Sequence, residues 1–285
     1  MGLDASVMCT CWRERRCSRP PHAEHVRVDE EGYLSLELPW EDHAAEHQAF
    51  WEWLGSACEH QNMNAASERV SNWSGVRAFQ TALREVGEGH FPVLLAEIPD
   101  ANGGLMKPAA CAAGLRELAR FTELVRSTRS TFLVDDETGT ELYRYIPQYH
   151  GVFQLSREHG DVGVDPEGLF VARHAEDGVG EIVFRAMRAE QIVIARNDLG
   201  DAELVRLRCL DSGQESPPIA SITGRQIPWP DGRMEDDGGR CRFACPQRLG
   251  VIRRGLTVAD FDFILGALRR LFEASSVTGN PVRWS

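Results

Sequence analysis

The chain has 285 residues, 42% hydrophobic and 26% charged, ordinary globular values that exclude disorder for the bulk of it. Its formal net charge of −12, from 31 basic and 43 acidic residues, argues against sequence-independent nucleic-acid binding, which needs Lys and Arg to neutralise phosphates, and suits attraction to a basic partner. No apolar run approaches the roughly 20 residues that cross a bilayer, and Met1–Val7 lacks the basic and apolar regions of a secretory signal; the expected location is the cytoplasm, with the eight cysteines as thiols, buried hydrophobes or metal ligands rather than disulfides.

Residues 3 to 11 alternate, with Leu3, Ala5, Val7, Cys9 and Cys11 on one face, the period of a half-buried strand. Arg13 to Pro21 reads as a polar loop, and a second short strand is expected near Tyr33 to Leu38. Asp42 is positioned to cap a helix reaching about Cys58, with Phe50, Trp51 and Leu54 as its apolar stripe. Val76, Phe79, Leu83 and Val86 recur at helical spacing before the stop at Gly87. A short helix follows Pro92, Asn102-Gly103-Gly104 makes a turn, and Pro108 opens a long helix.

After Thr128 the pattern changes. Phe132–Val134 and Leu142–Ile146 flank a hairpin turn at 135–139, and further short strands are expected near 151–155, 169–173, 181–186, 191–195 and 204–210. Residues 211 to 250 read as irregular. A last helix begins near Thr257 with a box-like cap at Asp260, its stripe of Val258, Phe261, Ile264, Leu265, Leu268 and Phe272 docking on the sheet. The pattern predicts an α+β fold: a mostly helical N-terminal part with one or two strands (1–128), then an antiparallel β-rich part with a C-terminal amphipathic helix (129–285), either as two modules or as one continuous core.

Five groups could carry chemistry. Cys9-x-Cys11 and Cys58-x-His60 each place two soft ligands on one side of a strand, a set that would suit tetrahedral zinc; the competing reading makes the cysteines part of an apolar face. His43-Ala44-Ala45-Glu46-His47 has the H-x-x-E-H order of inverted zinc peptidases, which also need a carboxylate far downstream and a much larger fold; the competing reading is a solvated helix face. Cys241-x-x-x-Cys245 could join Cys209 or His174 as ligands. Trp12 with Arg13, Arg15, Arg16 and Arg19 could hold an anion or ring, or form a solvated loop balanced by nearby acids. Tyr143, Tyr145 and Tyr149 with His150 form either a recognition surface or cross-strand packing. No P-loop, dinucleotide fingerprint or nucleophile elbow is present, so no catalytic residue is assigned.

Met1-Gly2-Leu3-Asp4-Ala5-Ser6-Val7 followed by Cys9-x-Cys11, then Ala57-Cys58-Glu59-His60 leading to Ser67-Glu68-Arg69-Val70-Ser71-Asn72-Trp73, resembles a set of uncharacterised bacterial proteins across roughly the first 125 residues. The resemblance implies a bacterial origin and a shared N-terminal module, and brings no activity. The function expected from the sequence is non-catalytic binding, as an immunity or antitoxin-like neutraliser of a basic, toxin-like protein. The alternatives are a metal-dependent hydrolase at the Cys/His zinc site and an anion or small-ligand sensor.

Overall fold

The computed structural model describes residues 2–29, 33–176, 178–198, 200–224, 226–227 and 242–285. It is α+β and divides into two compact units, residues 1–128 with 257–285, and residues 129–256. The C-terminal helix, expected to dock on the β-rich half, belongs instead to the first unit. Among the described residues no helix is long and apolar enough to cross a membrane.

The first unit holds the five α-helices of the described residues: α1 (Ala44–Ser56), α2 (Trp73–Gly87), α3 (Pro92–Glu97), α4 (Pro108–Leu124) and α5 (Asp262–Thr278). They accompany a four-stranded antiparallel sheet in the order Asn64–Asn72, Gly2–Met8, Val282–Trp284, Leu105–Met106. The N-terminal strand is central, pairing Ala5 with Trp284 on one edge and Gly2 with Asn72 through Met8 with Asn64 on the other. It ends at Met8, before the two cysteines that continue its alternation in sequence.

Helix starts follow their local chemistry. The Asn72 side chain accepts from Gly75 N at 2.7 Å at the head of α2, satisfying an amide that the helix itself cannot. Before α5, the Thr257 amide donates to Asp260 Oδ2 at 2.7 Å and the Thr257 side chain completes a capping box. Helices α2 and α4 and the turn before α5 share an aromatic core in which Phe121 lies 5.1 Å from Phe79, 5.9 Å from Phe91 and 5.1 Å from Phe261 between ring centroids.

A second, smaller core lies in the same unit. Phe50 and Trp53 of α1, Met8, Cys9, Cys11, Met63 and the hairpin residues Val26, Leu34 and Leu36 form it. Helix α1 starts at Ala44 with His43 at its N-cap and no side-chain cap bond, so Asp42 does not cap it. Its buried residues are Phe50 and Trp53, while Trp51 is 51% exposed. Of the expected stripe, Phe50 is buried and Leu54 packs against the small core, but Trp51 faces outward and Trp53, three residues from Phe50 on the same helical face, takes its place.

The second unit is antiparallel throughout its described pairings. A six-stranded sheet runs Ile219–Ala220, Ala202–Cys209, Arg188–Arg196, Arg248–Gly255, Arg129–Asp135, Glu141–Arg144. A four-stranded sheet runs Ile182–Ala186, Gly168–Ala172, Asp161–Asp165, Val152–Gln154. Leu133, Val205, Leu207 and Leu249 from the first and Val162, Val164, Leu169 and Phe184 from the second bury one common core, as two apolar sheet faces must. Arg248–Gly255 overlaps the end of the stretch expected to be irregular, and pairs with Arg129–Asp135 along its whole length.

Candidate metal centre

The pairing register of the N-terminal strand builds the site. Met8 faces Asn64 at the last step of the ladder, so the residues just after Met8 and those just before Asn64 emerge at the same end. The first carry Cys9 and Cys11, the second Cys58 and His60. Both pairs stand on turns beyond the strands, rather than on strand faces as the spacing suggested. Cys9 N donates to Met63 O at 2.7 Å and Met63 N to His60 O at 3.1 Å, stitching the two turns together. Asn62 and Met63 take left-handed φ values of 50° and 55°, which folds the second turn back towards the first. From the C-terminal end, Asn280 Nδ2 donates to Met8 O at 2.7 Å and Cys9 O at 3.2 Å.

The four ligand atoms lie within 4.8 Å of one another. Cys9 Sγ is 3.8 Å from Cys58 Sγ, and His60 Nδ1 is 3.4 Å from Cys11 Sγ and 3.7 Å from Cys58 Sγ. A zinc tetrahedron with Zn–S near 2.3 Å and Zn–N near 2.0–2.1 Å has S–S edges of about 3.8 Å and S–N edges of about 3.5 Å. The three separations given above are close to those edges, and the remaining pairs stay within 4.8 Å. Cys9, Cys11, Cys58 and His60 can therefore hold a metal ion such as zinc, and they form the one such group among the described residues.

Burial dominates the electrostatics of the site. Cys9 is 3% exposed and Cys11 1%. Burial, the largest cause, pushes the Cys9 thiol up to about 12, with the neighbouring Cys58 adding to it. The Cys11 thiol is raised for the same first reason. Grouped buried thiolates are unfavourable without a cation, and a divalent ion reverses that balance by taking the place of the protons. Arg16 favours the Cys11 thiolate electrostatically while its guanidinium donates to Glu14 at 2.7 Å and Glu59 at 3.2 Å. Three thiolates and one imidazole around a divalent ion leave a net negative charge, which a nearby arginine offsets. Cys9 and His60 also line a concavity of 580 Å³ with Arg16, Glu59, Glu68 and Arg270, a route by which an ion can reach the thiols.

The other sequence candidates are placed differently. His47 Nε2 donates to Leu38 O at 2.8 Å, and His43 Nδ1 lies 3.3 Å from Glu46 Oε1, so the H-x-x-E-H residues are spent on local bonds and assemble no ligand set. Cys209 is buried in the second unit's core and Cys245 packs against it, His174 faces Asp161, and Cys241 lies outside the described residues. Trp12 stands edge-on to Trp53 at 6.1 Å and packs on the small core. Arg13 donates to Thr278 O at 2.7 Å, and Arg15 and Arg19 are exposed beside a 500 Å³ concavity that Trp12 and Cys17 also line.

Of the tyrosines, Tyr143 stacks on Phe153 at 3.9 Å and packs against the second unit's core, while Tyr145 is half-buried. Tyr149 ends a short turn at 36% exposure and His150 follows it, exposed with a φ of 51°.

Two arrangements had no sequence signal behind them. Asp161 is wholly buried and accepts from His174 Nδ1 at 2.9 Å and Ser156 N at 3.1 Å. Trp40 and Trp51 stack in the open at 5.1 Å. Only a correct helical phase for α1 would have exposed Trp51, and Asp161 and His174 meet through strand pairing that their spacing does not reveal. Comparisons of the chain with protein-family models, with curated proteins and with solved structures find no match.

Proposed function

We propose that this chain is a zinc protein whose ion is a structural staple, and that the stapled unit belongs to a non-catalytic binding protein for a basic, toxin-like partner. The observation that carries the zinc reading is the convergence of three thiols and one imidazole nitrogen within 4.8 Å of one another. Four protein ligands are the composition of structural zinc sites, whereas catalytic sites keep a position for water or substrate. That favours the staple over the hydrolase, which would need an open coordination position to activate water. The binding reading is supported by the charge of −12, which would speed encounter with a cationic partner and make the association salt-sensitive.

Elemental analysis of the purified protein tests the staple, with a Cys9→Ser/Cys11→Ser variant as control. About one zinc per chain, lost in the variant, is expected. Wild-type protein that takes up no zinc when supplied with it would return the cysteines to the apolar core and remove the staple.

A further inference from the structure

Large aromatic rings are seldom left in water, yet α1 and the segment just before it leave two. Trp40 is 47% exposed and Trp51 51%, with ring centroids 5.1 Å apart and planes inclined by only 26°. His47, one helical turn before Trp51, packs edge-on to Trp40 at 5.1 Å and lies 6.2 Å from Trp51. Its bond to Leu38 O at 2.8 Å fixes the segment that carries Trp40. The opposite face of the helix is anchored by Phe50 and Trp53. The indoles are thus held as a rigid surface, so little side-chain entropy would be lost when a ligand covers them.

The sequence that carries these rings is acidic. From Glu37 to Trp53 the chain carries Glu37, Glu41, Asp42, Glu46 and Glu52 and neither Lys nor Arg. Glu37 is paired with Arg27 at 3.4 Å, Glu46 faces His43, and Glu52 accepts from Gln48 at 2.9 Å. Glu41 and Asp42, directly after Trp40, are exposed and have no cationic partner among the described residues. Indole faces attract cations through the ring quadrupole, Trp most strongly, and a planar guanidinium can stack there while offering its N–H groups to carboxylates. Tryptophan is also the residue type most enriched where binding energy concentrates. An anionic membrane or nucleic acid would meet like charge here.

We infer that Trp40 and Trp51, flanked by Glu41 and Asp42, form the docking surface for an arginine-rich segment of a basic partner protein. Guanidinium groups stack on the indoles, and the two unpaired carboxylates accept their N–H bonds. This assignment rests on the basic-partner reading above and gives it a location.

The test is the affinity of the full-length protein for a labelled oligo-arginine peptide, read by fluorescence anisotropy, with oligo-glutamate as control. The variants are Trp40→Ala/Trp51→Ala, Trp40→Phe/Trp51→Phe and Glu41→Gln/Asp42→Asn. The alanine pair should weaken binding by about tenfold or more. The phenylalanine pair should recover part of that loss, and the amide pair should weaken binding and lower its salt dependence. Equal affinity in wild type and the alanine pair would overturn the docking surface and leave the basic-partner reading standing. Failure of the wild type to bind oligo-arginine would overturn both. Should the alanine pair unfold, the amide pair decides, because its side chains are exposed: unchanged affinity there overturns the assignment.

Discussion

Removing the ion should change how stability depends on pH, in a way that identifies the thiols as ligands. In the metal-free protein the Cys9 thiol is raised from its ordinary 9.0 to about 12, chiefly by burial. Below pH 9 it is protonated in both folded and unfolded chains, and its contribution is fully present. Between 9.0 and about 12 the unfolded chain releases the proton and the folded chain keeps it, so stability falls as pH rises. The loss is on the order of 4 kcal/mol over the whole window, at roughly 1.4 kcal/mol per pH unit. Cys11, Cys17 and Cys111, also raised by burial, add to it in the same direction.

The zinc-loaded protein should behave differently. Its ligand thiols are already deprotonated, so unfolding with loss of zinc takes up about three protons below pH 9, and stability there rises with pH by roughly 4 kcal/mol per unit at fixed free zinc. Above pH 9 the ligand thiols cease to contribute a slope. The gap between the two forms therefore widens with pH on both sides of 9. Denaturant unfolding from neutral pH to about pH 11, with buffered zinc or with chelator, measures it. Trp12, Trp40, Trp51, Trp53, Trp73 and Trp284 all lie in the first unit, so tryptophan fluorescence follows the relevant transition. Parallel pH profiles for the two forms would refute the assignment of these thiols to the metal.

Two further outcomes test the packing. Phe121→Ala should destabilise the first unit by about 3–5 kcal/mol, because the ring is wholly buried among Phe79, Phe91 and Phe261; a loss below about 1 kcal/mol in denaturant unfolding would contradict that packing. His174→Ala should destabilise the second unit by about 3 kcal/mol, because it strips the buried Asp161 carboxylate of its imidazole partner. Asp161→Asn in the His174→Ala background should restore part of the loss, and a double-mutant cycle with no coupling would dismiss the pair.

The helices and hairpins were legible where local chemistry decides them. Pro92, Pro108 and the Thr257–Asp260 box each mark a start that the structure keeps. The strand Asn64–Asn72 was not legible. Its side chains are mostly half-buried or exposed, with only Val70 fully buried, so neither alternation nor a β-branched run announces it. It is set by pairing with the N-terminal strand, a tertiary effect that local propensity does not contain. The identity of the four ligands could be read from residue type, but their convergence depended on that unseen strand.

The same register explains why a metal staple suits this place. Cys9 and Cys58 are 49 residues apart, and between them lie the short hairpin and α1, whose hold on the protein is the small core around Phe50, Trp53, Leu34 and Leu36. A core of that size leaves little surplus over the entropy of ordering the chain. A cross-link closing a loop of that length removes conformational freedom from the unfolded chain worth about 4 kcal/mol in the chain-entropy model. A bound ion would also convert grouped thiols that burial disfavours as thiolates into ligands whose charge it neutralises. On this argument zinc and the small core are complementary. The core sets the turns so that the four ligands meet, and a bound ion would hold the hairpin and α1 against the sheet, keeping in place the helix that carries Trp51 and the segment that carries Trp40.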